Sequence, residues 1–486
     1  MKKTLLFFGL LMLVLPMEAQ DYQDYVNKRK QEMERYKDSI NQNYDDYRRK
    51  ANEEYAQYMR EKWEAFQVMK GEEKPIIPEP PKPYKADKDT PIPNVPTPIP
   101  VKPIRTPEPE PIRPTKRPDT PQPSPIPSTS DFEFTCYGTP CMVSLDKSLK
   151  FKLKDASETA CADAWNKLSS NKSDALLEDC LRLREELALG DWAYYCLLRD
   201  LTESFLGKGT EEAIFMQAYL MAQSVYKIRL GRKNDHLIFL LPSDGIIYGR
   251  CCAKIGGEKF YVFGTEERGG MYVFNQAFSD HERVMSLRMQ CLPKFSYRSS
   301  ESRQYTSVRY PEMTVSLSTN KNLMDFYNDY PSCLWTNYSW AGLSDELKNQ
   351  LYPMLRRSIA GKSQIEAANR IINFVQTAFS YKTDQEQFGY ERSLFGDETF
   401  FYPYSDCEDR TILFSILIHD LLGLDVVLLS YPEHIAAAVH FTEELSGSYF
   451  TFEGKTYFIC DPTYIGANVG MCAPRFINLS PEVYKL

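Results

Sequence analysis

Ser405-Asp406-Cys407-Glu408-Asp409-Arg410 runs into Thr411-Ile-Leu-Phe-Ser-Ile-Leu-Ile-His-Asp-Leu-Leu-Gly423, and the reading of this stretch decides the fold of the C-terminal third. Ser405 or Asp406 can cap a helix, Glu408 and Asp409 suit the positive end of its dipole, and Gly423 ends it. Cys407 then sits at the helix start, where free N–H groups and partial positive charge favour a thiolate. The flanking carboxylates oppose that, so a paired imidazolium must supply part of the stabilisation. By itself, a cysteine at a helix start is more often a structural thiol than a nucleophile.

Two further segments change the balance. Beyond a strand at 425–429 come Tyr431-Pro-Glu-His434-Ile-Ala-Ala-Ala-Val-His440-Phe441 and, after a loop, Gly454-Lys-Thr-Tyr-Phe-Ile-Cys460-Asp461-Pro-Thr-Tyr464. Both alternate as strands. In an antiparallel pair the start of the first lies beside the end of the second. Asp461 is therefore expected next to His434, with His440 roughly 20 Å away toward the turn at about 3.3 Å per residue. Ala436 and Ala438 share the His434 face and are expected to leave room for the helix end. Ile435, Val439 and Phe441 point into the core.

A cysteine opening a helix after an acidic residue, a histidine opening the next hairpin, and Asp-Pro-Thr closing it resemble the transglutaminase-like superfamily. The resemblance covers roughly residues 320–486. It implies an α+β, papain-like fold with Cys407 as nucleophile, His434 as base and Asp461 as its orienting partner. The chain departs from the superfamily at Ala436, where an aromatic commonly stands. The implied chemistry is attack of a thiolate on an amide carbonyl, with His434 shuttling the proton. The Cys407 N–H, with Tyr402 or Tyr404 as a second donor, would hold the oxyanion. Water as acceptor gives hydrolysis, an amine gives transfer.

Working outward, the same pattern recurs about 198 residues earlier. The helix at 409–422 maps to 211–224, His434 to His236, and Gly454–Asp461 to Gly257–Gly264 with a shift of 197. Gly209 and Gly264 stand where the cysteine and aspartate would be. Residues 131–310 are therefore expected to be a degenerate copy of the fold, and 311–486 the catalytic domain.

The N-terminal 130 residues read differently. Lys2 and Lys3, the apolar run Leu5–Leu15, Pro16 and Ala19 have the order of a secretory signal peptide over 1–19, too short to span a membrane. The mature chain is thus expected outside the cytoplasm, periplasmic or extracellular, with no membrane span. Over 20–71, Tyr22, Met33, Tyr44, Tyr55 and Phe66 repeat every eleven residues, and so do Tyr25, Tyr36, Tyr47, Tyr58 and Met69. That period predicts one long charged helix whose narrow stripe self-associates as a coiled coil. Residues 72–130 hold 20 of the 32 prolines and predict an extended, independent linker.

A net charge of −8 argues against nucleic acid as partner, leaving a protein or peptide substrate. Five scattered histidines carry no metal spacing and no phosphate loop occurs, so neither metal nor cofactor is expected. The twelve cysteines include Cys136 and Cys141, close enough in sequence to pair, though buried thiols fit equally. These features lead to an exported cysteine peptidase or amidase. A crosslinking acyl transferase is the alternative within that chemistry, and a catalytically idle peptide or cell-wall binding scaffold the alternative outside it.

Overall fold

Two stretches of the chain run through the same succession of elements. The computed structural model describes residues 46–60, 63–71, 84–85, 97–103, 131–169 and 173–486, and the fold is mixed α+β. In the first stretch a strand β1 (Glu64–Lys70) precedes helix α1 (Glu211–Gln223) and strands β2 (Arg229–Lys233), β3 (His236–Leu241), β4 (Cys251–Ile255), β5 (Glu258–Phe263) and β6 (Gly269–Val273). In the second, helices α2 (Gln364–Thr377) and α3 (Cys407–Leu422) precede β7 (Val426–Tyr431), β8 (His434–Val439), β9 (Ser448–Phe452), β10 (Lys455–Cys460) and β11 (Glu482–Lys485).

The strand orders coincide. The first sheet runs β6-β2-β3-β5-β4 and the second β11-β7-β8-β10-β9, with every neighbouring pair antiparallel. A shift of 198 residues carries β3 onto β8, and a shift of 197 carries β5 onto β10. Each sheet packs one face against its helix and turns the other inward. Inside the first lie Ile238, Leu240, Ala253, Phe260 and Val262. Inside the second lie Val427, Leu429, Ala436, Ala438 and Ile459. Burial on both faces is why β3, β7 and β8 carry nearly unbroken apolar runs.

Both sheets are closed by chain that the sequence assigns elsewhere. β1 pairs antiparallel with β4 and with β6, closing a six-stranded barrel. The long helix expected over 20–71 therefore does not reach its end: residues 64–70 are strand. Val68 enters the barrel while Met69 faces out, 47% exposed, as a period of two requires. Gly71 passes so close to Arg250 that a Cβ would lie 1.6 Å from its carbonyl oxygen.

Residues 46–59 are helical, but they dock on their own chain instead of projecting. Tyr55, Ala56 and Met59 are buried, with Tyr55 4.6 Å from the Trp165 ring. Asn52 accepts hydrogen bonds from Trp165 Nε1 (2.9 Å) and Gln223 Nε2 (2.7 Å). Tyr47, in the second row of the repeat, is half exposed, so the stripe does not act as a unit. Residues 1–45, with the expected signal segment and the first half of the repeat, lie outside the described residues.

The proline-rich stretch is not independent of the domains either. Residues 97–98 pair parallel with β9 and 102–103 parallel with β11, so one short run bridges both edges of the second sheet. Thr97, Ile99 and Lys102 donate to the carbonyls of Gly447 (2.8 Å), Tyr449 (2.7 Å) and Pro481 (2.9 Å). Alternating prolines leave the intervening N–H groups free, which suits strands at a sheet edge. Ile99 is buried against Val427 and Phe450. Residues 84–85 add to Tyr464–Ile465 in the same way.

All twelve cysteines are free, eleven of them buried, so Cys136 and Cys141 fill the core as thiols.

Candidate active site

Strand register brings His434 and Asp461 together. Ala437 lies opposite Cys460 across β8 and β10, so the residue opening β8 and the residue following β10 meet at one end of the sheet. His434 Nε2 is 2.8 Å from Asp461 Oδ2, and both side chains are buried. Asp461 Oδ1 accepts from Thr463 N (2.8 Å), Thr463 Oγ1 (2.7 Å) and Tyr464 N (3.2 Å). Burial pushes this carboxyl up, but the His434 imidazole and the hydrogen bonds outweigh it and hold its pKa below the usual value. His434 Nδ1 is buried without a hydrogen-bond partner. The imidazole lies face to face on Phe476, 4.6 Å between centroids.

Cys407 is the first residue of α3, and Asp406 is its N-cap. The backbone of Ile435, the residue after His434, lies close enough to the sulfur to work against the rise of its pKa, and Thr411, one turn on, donates to the Ile435 carbonyl (3.2 Å). The helix thus lies across the start of β8. It packs on the Ile435, Ala437 and Val439 face, and Ala436 and Ala438 point to the opposite face of the sheet, the reverse of the expected arrangement. α3 is buried from Cys407 to Ile418, so it needs the larger of the two cores around it.

The thiol is 1% exposed and contacts Glu408 Oε2 at 3.2 Å. Burial, then the charges of Glu408 and Asp406, push its pKa well above the ordinary thiol value. The helix start is therefore more strongly acidic than its dipole can offset. Two sets of carboxylates crowd this corner and could hold a metal ion: Asp384 with Asp406 and Asp409, and Asp384 with Glu391 and Glu408. Burial, followed by Glu408, raises Asp409 to about 8. Arg410 is buried beside them but donates to Ser405 Oγ (3.2 Å), Gln376 O (3.1 Å) and Phe379 O (2.8 Å), and desolvation lowers it to about 10.

His440 stands at the far end of the hairpin, its Nδ1 on the Thr456 carbonyl at 2.9 Å. Tyr402 Oη donates to Asn328 Oδ1 (3.2 Å) and accepts from Arg392, and the Tyr404 ring lies under Lys382. Gln376 on α2 escapes a reading of the sequence. Its Nε2 donates to the carbonyls of Asp461 (3.2 Å), Tyr464 (2.8 Å) and Ala467 (3.1 Å), pinning the turn that carries the aspartate. Phe476 and Asp384 also escape it, since neither lies within a motif.

At the corresponding end of the first sheet, His236 is exposed and its Nδ1 meets Glu211 Oε1 at 2.9 Å. Gly209 precedes α1 with φ +67° and Gly264 follows β5 with φ +96°. Compared with known proteins, the chain matches no protein-family model, no curated protein and no solved structure.

Proposed function

We propose that the chain is an exported cysteine enzyme of the transglutaminase-like type, with a papain-like core, that opens amide bonds in a protein or peptide. The observation that carries this reading is the buried 2.8 Å contact of His434 with Asp461 at the point where the first residue of α3 meets β8. Asp461 holds the proton on Nε2, which leaves the unpartnered Nδ1 basic. Nδ1 takes the Cys407 proton and the thiolate attacks the carbonyl carbon. Nδ1 then returns the proton to the departing amine, leaving a thioester that water or a second amine resolves. Cys407 and His434 are each 1% exposed, so a substrate gains access when the cover over them moves. Because the first sheet has the same strand order with Gly209 and Gly264 at the matching places, we read it as a copy that retains the fold without the chemistry.

A second reading, an idle binding scaffold, draws on the raised thiol pKa beside Glu408. The two separate in one experiment. Full-length protein and Cys407→Ala are incubated with a thiol-directed peptide probe and with a peptide library. The enzyme reading expects labelling and amide cleavage that both vanish in the variant at unchanged melting temperature. Undiminished cleavage by folded Cys407→Ala would refute it.

A further inference from the structure

Burying carboxylates together is costly unless protons or a cation neutralise them. Around the start of α3 the oxygens of Asp384, Asp406 and Asp409 all lie within 4.8 Å of one another, and those of Asp384, Glu391 and Glu408 do so as well. Acidic clusters are common, and proximity alone assigns nothing. This one has a second feature: Asp406 is 0% exposed, neither of its oxygens has a hydrogen-bond partner, and one of them faces this cluster. Glu408 Oε1 is likewise buried without a partner.

The remaining lone pairs are only partly used. Asp384 Oδ2 accepts the Arg392 N–H at 2.6 Å, and Asp409 accepts those of Leu394 (2.8 Å) and Asp406 (3.2 Å). The two nearby guanidinium groups are engaged elsewhere. Arg410 serves Ser405 and two backbone carbonyls, and Arg392 pairs with Glu398 and Tyr402. Asp384, Asp406 and Asp409 offer oxygen donors only, with no histidine or thiolate in the set. That donor chemistry selects a hard divalent cation over zinc, copper or iron.

We propose that Asp384, Asp406 and Asp409 bind one hard divalent cation, Ca²⁺ or Mg²⁺, at the start of α3.

The test uses full-length protein stripped with EDTA and then dialysed. CaCl2 and MgCl2 are titrated separately by calorimetry, and the bound ion is counted by native mass spectrometry. One ion per chain is expected, with a rise in melting temperature of about 5 °C at a hundredfold excess over Kd. Asp406→Asn, nearly isosteric, should weaken binding at least about tenfold, since it removes one anionic ligand. Absence of binding by wild-type protein for both ions at millimolar concentration would overturn the site, whatever the variant does.

Discussion

Replacing Asp461 by asparagine is the sharpest probe of the proposed triad. The substitution keeps Oδ1 as acceptor for the Thr463 and Tyr464 donors, so the turn after β10 should survive. What changes is the other end. An amide NH2 now faces His434 Nε2, where a carboxylate oxygen lies at 2.8 Å. The imidazole must accept there and carry its proton on Nδ1, the nitrogen the mechanism needs as a base. The lost charge-assisted hydrogen bond is worth about 1.5–3 kcal/mol of stability. The chemical loss should be larger, roughly 10²-fold or more, because general-base assistance is removed as a unit. Asp461→Ala is the contrasting change. It additionally strands the buried Thr463 and Tyr464 donors, at about 1–3 kcal/mol each. The assay is the second-order rate of Cys407 alkylation at pH 7, read beside the melting temperature. A folded Asp461→Asn protein that alkylates at the wild-type rate would refute the role assigned to Asp461.

Two more expectations concern the fold. Ile99→Ala should destabilise the second sheet by about 2–4 kcal/mol, because Ile99 is buried where residues 97–103 bridge both edges; urea unfolding showing less than half a kcal/mol would mean the bridge contributes nothing. Asp397, wholly buried with Ser344 N donating to it at 2.9 Å, is raised by burial to about 6. Its folded pKa exceeds the unfolded value, so this contribution is present below about pH 4 and fades as pH rises through 6, on the order of 3 kcal/mol in all. Asp397→Asn should therefore show a shallower loss of stability across that window, and parallel pH profiles for variant and wild type would count against it.

Local signals were sufficient for the elements around the candidate site. Acidic residues and Gly423 bound α3, and period-two alternation with a reachable turn placed His434 beside Asp461, because antiparallel register is a consequence of chain geometry. The recurrence of that pattern 198 residues earlier was legible for the same reason, whereas the shared strand order came only from the tertiary structure. Long-range closure was not. Phe66 and Met69 satisfy an eleven-residue helical period equally well, and only the vacancy between β4 and β6 makes Glu64–Lys70 a strand. Nothing local says that a Pro-x-Pro run will find two strand edges that accept every second N–H. The environment of Cys407 was equally out of reach. The sequence places acidic residues on a helix start, where solvent would screen them, whereas the tertiary structure buries Asp406, Glu408 and Asp409 with the distant Asp384 and so strengthens their opposition to the thiolate.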